Sequence, residues 1–105
     1  MSKVVTLENE SQWESLVNGE KPVLAKFGAQ WCGPCQMIAP FMEKKAEEEG
    51  RVVIVSVDID DFPALEEKYE VSNLPTYVLL SKGNEVGRTF GVKEDKINEL
   101  IAKAL

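Results

Sequence analysis

The order of apolar and helical segments predicts an α/β fold, with a central mixed β-sheet of about five strands flanked by four helices. Three features lead there. Pro22-Val23-Leu24-Ala25-Lys26-Phe27-Gly28 is a near-continuous apolar run, the pattern of a central strand covered on both faces, interrupted by one lysine. Strand-like and helix-like stretches alternate from the N-terminus onward, which calls for parallel crossover units. Lys82-Gly83-Asn84-Glu85 is a hairpin turn ahead of a last helix, so an antiparallel pair completes the sheet.

The opening strand is Val4 to Leu7. Asn9 with Gln12, or Ser11 with Glu14, forms a capping box for a first helix whose Trp13, Leu16 and Val17 share one face, and Gly19 closes it. After the Pro22 to Gly28 strand, a long helix starts at about Gly33 or Pro34, proline being favoured in a first turn. It runs to about Glu49, before Gly50 ends it. Pro40 lies inside; its ring collides with the Gln36 carbonyl and removes that acceptor's helical donor, so a kink is expected. Arg51 to Val57 is a second buried strand. Asp60-Asp61-Phe62-Pro63 caps a short helix through Leu65 to Tyr69, and Asn73-Leu74-Pro75 leads into the strand Thr76 to Leu80. Val86 to Phe90 is its antiparallel partner, Gly91 breaks that strand, and Ile97, Leu100, Ile101 and Ala104 stripe the final helix.

No linker, repeat or low-complexity segment interrupts this order, so residues 1–105 are expected to form one domain and an ordered monomer. With 44% hydrophobic residues, the chain can bury a core without metal or disulfide staples. A net charge of -6 disfavours nucleic acid and anionic membranes, which would repel it at long range. No apolar run approaches the roughly 18 to 20 residues that span a bilayer. Met1-Ser2-Lys3-Val4-Val5 lacks the apolar stretch and cleavage site of a signal peptide, so the expected address is the cytoplasm.

The sequence contains two cysteines, Cys32 and Cys35, and no histidine. A bridge closing so small a loop would stabilise little, so redox chemistry or metal binding is the better use of the pair. A cysteine directly after an apolar strand and directly before a helix has its sulfur at the helix N-terminus, where free N–H groups and the macrodipole favour a thiolate. Cys32 is therefore the candidate nucleophile. Cys35 returns to the same side of the first turn, with its Cα roughly 5 to 6 Å from that of Cys32, inside the disulfide range. Being a turn deeper, Cys35 is the candidate resolving thiol, which attacks the mixed disulfide on Cys32. Gly33 and Pro34 keep the loop slim and stiff. Structural zinc needs about four ligands, which a chain with two cysteines and no histidine lacks. Two packed core cysteines, or a binding module with dormant cysteines, are the remaining alternatives.

Ala29-Gln30-Trp31-Cys32-Gly33-Pro34-Cys35-Gln36-Met37-Ile38-Ala39-Pro40-Phe41 resembles the active-site segment of the thioredoxin family, and Leu74-Pro75-Thr76 resembles its cis-proline loop. The resemblance covers nearly the whole chain and implies the thioredoxin fold and reduction of protein disulfides. It also implies a cis Leu74–Pro75 bond, with Pro75 against the disulfide. The Leu74 backbone would bond an extended substrate segment, a short form of strand addition. Trp31, Gly33, Pro34, Leu74, Pro75 and Gly91 become the expected contact patch. Family partners would be a thioredoxin reductase that uses a nicotinamide cofactor, and disulfide clients such as peroxiredoxins; the chain itself needs no cofactor and no metal. An oxidant or isomerase of disulfides is the alternative enzyme.

Three departures from that pattern stand out. Lys26 occupies the place of a buried aspartate and Ser56 that of a lysine on the next strand, while Gly28 replaces a larger residue. Leu24, Lys26 and Gly28 share one strand face, and Val23, Ala25 and Phe27 the other. Lys26 is thus a candidate catalytic residue: an ammonium near the thiols should lower the Cys32 pKa and make the protein more oxidising. Alternatively, its stem reaches water or an acid such as Asp58, or desolvation leaves the amine neutral and able to accept the Cys35 proton, a task that water in a loosened site could also perform.

Overall fold

In a computed structural model, which describes residues 3–105, the interrupted apolar run is the middle of the sheet. Met1 and Ser2, the head of the stretch read for a signal peptide, lie outside the described residues. Among those described, the elements are β1 (Val5–Thr6), α1 (Glu10–Val17), β2 (Val23–Gly28), α2 (Gly33–Glu48), β3 (Val53–Asp58), α3 (Pro63–Lys68), β4 (Thr76–Ser81), β5 (Asn84–Phe90) and α4 (Glu94–Ala102). The strand order is β1-β3-β2-β4-β5. The β1–β3 and β2–β3 pairs are parallel, while β2–β4 and β4–β5 are antiparallel. This is the expected mixed sheet, with helices on both faces.

All six residues of β2 are buried because a strand lies on each edge and a layer of helix covers each face. Val23, Ala25 and Phe27 join Val55, Val57, Val78 and Leu80 in a core with Trp13 and Val17 of α1 and Leu65 of α3. On the opposite face, Leu24, Ile54, Tyr77 and Leu79 meet Ile38, Met42 and Ala46 of α2 and Ile97, Leu100 and Ile101 of α4. The two-residue alternation of the strand thus places Lys26 under α2. None of the described helices is long and apolar enough to cross a membrane.

Local chemistry explains where boundaries depart from expectation. Asn9 caps α1, its side chain accepting the Gln12 N–H at 2.8 Å, while Gln12 reaches back to the N–H of Glu8 at 2.7 Å, one residue short of a closed capping box. β1 is only two residues long, since it is an edge strand and the chain turns at buried Leu7 toward α1. β3 begins after Arg51, whose guanidinium and amide are both tied to Glu49 in the preceding turn. Asp60 and Asp61 do not cap α3. Asp58 organises that turn instead: its carboxylate accepts the Asp60 N–H at 2.8 Å and its carbonyl the Phe62 N–H at 2.9 Å, leaving Phe62 at the cap without a side-chain bond. The hairpin is tighter than expected, with Lys82 (φ 52°) and Gly83 (φ 85°) as its two central residues, so Asn84 and Glu85 already belong to β5. Ala104 lies beyond α4 but still packs against the second core.

Met42 of α2 is buried against the sheet, 1% exposed. Met42→Ala is expected to destabilise the fold by about 2–5 kcal/mol in urea denaturation, through lost burial and a residual cavity. A cost below about 1 kcal/mol would show that α2 is held to the sheet elsewhere.

Candidate functional site

β2 ends at Gly28, and the chain needs only the four residues Ala29 to Cys32 to enter α2. Cys32 is the helix N-cap, with extended backbone (φ -87°, ψ 107°), and its sulfur accepts the N–H of Cys35 at 3.2 Å. That N–H is one of the four orphan donors of a helix start, so the sulfur takes the place that a serine or aspartate oxygen usually fills. Cys32 and Cys35 form a disulfide with a Cα–Cα distance of 5.3 Å. In the reduced protein, the same N–H and the positive end of the helix dipole stabilise negative charge on Cys32. Cys35 is shielded, as expected, at 3% exposure; Cys32 is hardly more open at 5%, because it packs against the core that Leu74 borders.

The Leu74–Pro75 bond is cis and Pro75 is buried. Its carbonyl accepts the Gly91 N–H at 2.9 Å, joining the two loops expected to meet at the site. Gly91 has φ 93°, a conformation that side chains with a Cβ rarely adopt. Gly33 and Pro34 are exposed and Leu74 is half-buried. Trp31, next to Cys32 in the chain, is 68% exposed, and its indole N–H donates to Asp60 at 2.9 Å, which holds the ring over the turn before α3. Sequence reading passed over three exposed apolar side chains, Met37, Phe90 and Val92. Met37 lies one helical turn after Gly33, a spacing that could have placed it on the open face; Phe90 is the register partner of Thr76, next to the proline loop.

Lys26 lies across the sheet from Ser56 on one side and Tyr77 on the other, and is 8% exposed. Its Nζ donates to the Cys35 carbonyl at 3.0 Å, so the partner is a backbone oxygen in the first turn of α2. Asp58, the acid named as an alternative, is not that partner; it sits two register positions further along β3, and its carboxylate holds the Asp60 amide. Burial holds the Lys26 amine below its usual range, opposed by the carboxylate of Glu43. Burial raises the Tyr77 phenol, whose oxygen has no hydrogen-bond partner among the described residues. A cleft of about 230 Å³ lies beside Cys35, lined by Lys26, Gly28, Ser56, Asp58 and Asp61 among others. Gly28 leaves it open on the sheet side. A second cleft, about 210 Å³, reaches Lys26 from Glu43 and Thr6.

The thioredoxin family model matches residues 3–103. The thioredoxin of Chlamydia trachomatis serovar D is 43% identical over 104 residues, which is 98% of each chain. Mitochondrial thioredoxin of Mus musculus is 42% identical over 93 residues, 88% of this chain and 56% of that protein, so the chain spans little more than half the length of such relatives. Among solved structures, thioredoxin of Fasciola hepatica superposes with a TM-score of 0.91 at 36% identity, covering 97% of this chain and all of that one.

A Cβ at position 28 would stand 3.1 Å from the Cys35 sulfur, tighter than ordinary contact. In the disulfide that sulfur is tethered, whereas a free thiol can rotate away. Gly28→Ala is therefore expected to penalise the oxidised form by about 1 kcal/mol more than the reduced form. The reduction potential should rise by about 20 mV in equilibration with a dithiol buffer. An unchanged or lower potential would show that the Cys35 sulfur does not press on this strand.

Proposed function

The chain belongs to the thioredoxin family, and from that membership and the capped cysteine pair we propose that it is a protein dithiol–disulfide oxidoreductase that reduces disulfides in other proteins. The observation that carries this reading is the Cys35 N–H on the Cys32 sulfur at the start of a 16-residue helix. That arrangement favours a thiolate at Cys32.

Cys32 thiolate attacks one sulfur of a client disulfide, forming a mixed disulfide and releasing the other client sulfur as a thiolate. Cys35 thiolate then attacks the Cys32 sulfur; the Cys32–Cys35 bond forms, the bond to the client breaks, and the second client thiolate leaves and takes a proton from water. Two electrons have passed to the client. The chain is reset by an external two-electron donor, in this proposal a thioredoxin reductase charged by a nicotinamide cofactor. The chain carries no cofactor of its own in this scheme.

Trp31, Gly33, Pro34, Leu74, Pro75 and Gly91 form the client-docking patch in this reading, with the Leu74 backbone bonding an extended client segment. What supports it is the Gly91 to Pro75 hydrogen bond and the exposed indole of Trp31, next to Cys32 in the chain. The proposal extends to one functional domain over residues 1–105, a monomer acting on clients such as peroxiredoxins. A cytoplasmic address is part of the same proposal, although some relatives are mitochondrial.

Covalent trapping tests the division of labour. Cys35→Ser should accumulate a mixed disulfide with a protein client, resolved only by added dithiol, while Cys32→Ser should capture none. The reverse pattern would exchange the roles of the two cysteines.

A further inference from the structure

Among the described residues, Lys26 is the one charged side chain in the buried class, and its hydrogen bond goes to Cys35. An amine so placed costs desolvation, which the depressed basicity of Lys26 reflects. We propose that the Lys26 ammonium, anchored on the Cys35 carbonyl, stabilises the thiolate of Cys35 and so acts as the positioning residue for the resolving step.

The geometry favours Cys35 over Cys32 as the beneficiary. Carbonyl and thiol belong to the same residue, so bond lengths limit the distance from Nζ to the Cys35 sulfur to roughly 8 Å. Among the described residues Lys26 has no hydrogen bond to Cys32, whose sulfur instead accepts an N–H of the helix N-terminus. The groups facing Lys26 from the packed elements are Glu43 of α2, Ser56 and Asp58 of β3, Asp61 before α3 and Tyr77 of β4. Glu43 and Asp61 are exposed, Asp58 is bound to the Asp60 amide, and Tyr77 is kept un-ionised by burial. None of these carboxylates has a hydrogen bond to Cys35 among the described contacts. Lys26 is therefore the charged side chain among them that is hydrogen-bonded to Cys35.

In the resolving step, Cys35 releases its proton into the cleft that it lines with Lys26, Ser56 and Asp58. The thiolate then attacks Cys32, the Cys32–Cys35 bond forms, and the Cys32–client bond breaks. Lys26 takes no proton; it lowers the free energy of the thiolate, and the thiolate in turn favours the ammonium over the neutral amine. The same attraction also anchors the first turn of α2 to the middle of the sheet, so the charge and the position of Cys35 are set by one contact. This inference rests on the reading of Cys35 as the resolving thiol.

The test is a pH titration of both cysteines in the reduced protein by the carbon shifts of their Cβ atoms. In Lys26→Met the Cys35 midpoint should rise by about one pH unit, a tenfold loss of thiolate at a given pH below it, while Cys32 moves less. Lys26→Arg should restore most of the shift. An unchanged Cys35 midpoint in the folded Met variant, or a larger movement at Cys32, would overturn the proposal. Lysine amine resonances of the wild type supply a check that needs no variant: Lys26 must stay charged until Cys35 has ionised, and a neutral amine before then would equally overturn it. Failure of Cys35→Ser to trap clients, with these titrations as expected, would instead remove the catalytic reading and leave the electrostatic one standing.

Discussion

The contact on which the rest of the site depends is the 3.2 Å hydrogen bond from the Cys35 amide to the Cys32 sulfur. It makes a sulfur the cap of α2. A cap must lie at the helix start, and the helix start is set by the end of β2 four residues earlier, so the position of Cys32 is fixed by the most buried strand of the sheet. The two cysteines are thus joined twice in the oxidised protein, by their covalent bond and by the amide on the sulfur. Its electrostatic worth lies in direction: orphan N–H groups pointing at a sulfur favour its anion before any side-chain charge is counted.

The Lys26 side of the site carries the complementary constraint. β2 is fully paired and covered, so a charged residue in it has few routes to a partner, and the Cys35 carbonyl in the first turn of α2 is the one taken. Gly28, two residues further on the same face, lets the strand approach the Cys35 sulfur more closely than a Cβ would allow. A lysine and a glycine at alternate positions thus leave a polar, solvent-reaching cleft beside a thiol that is itself almost inaccessible. Cys35 is shielded from solvent, yet it borders that cleft.

Much of this was legible in the sequence because the determinants are local. The unbroken run at Val23 to Gly28 announced a strand covered on both faces, the alternation within it put Lys26 and Gly28 on one side, and Cys32 directly ahead of Gly33-Pro34 announced a helix start. What stayed hidden depends on tertiary partners. Whether Lys26 reaches Asp58 or a backbone oxygen is decided by the docking of α2, which no periodicity encodes. The turn before α3 looked like an aspartate cap, but Asp58, at the end of β3, was better placed to collect those amides. The near-complete burial of Cys32 follows from its packing on the core bordered by Leu74, more than forty residues away in sequence.

On the proposed reading of the site, the helix cap rather than exposure makes Cys32 reactive. The rate of alkylation of the reduced protein against pH, with the modified cysteine identified by peptide mass, tests this directly. Cys32 should be modified first, with a midpoint clearly below the ~8.5 of a free cysteine. A midpoint at or above that value, or first modification at Cys35, would contradict it.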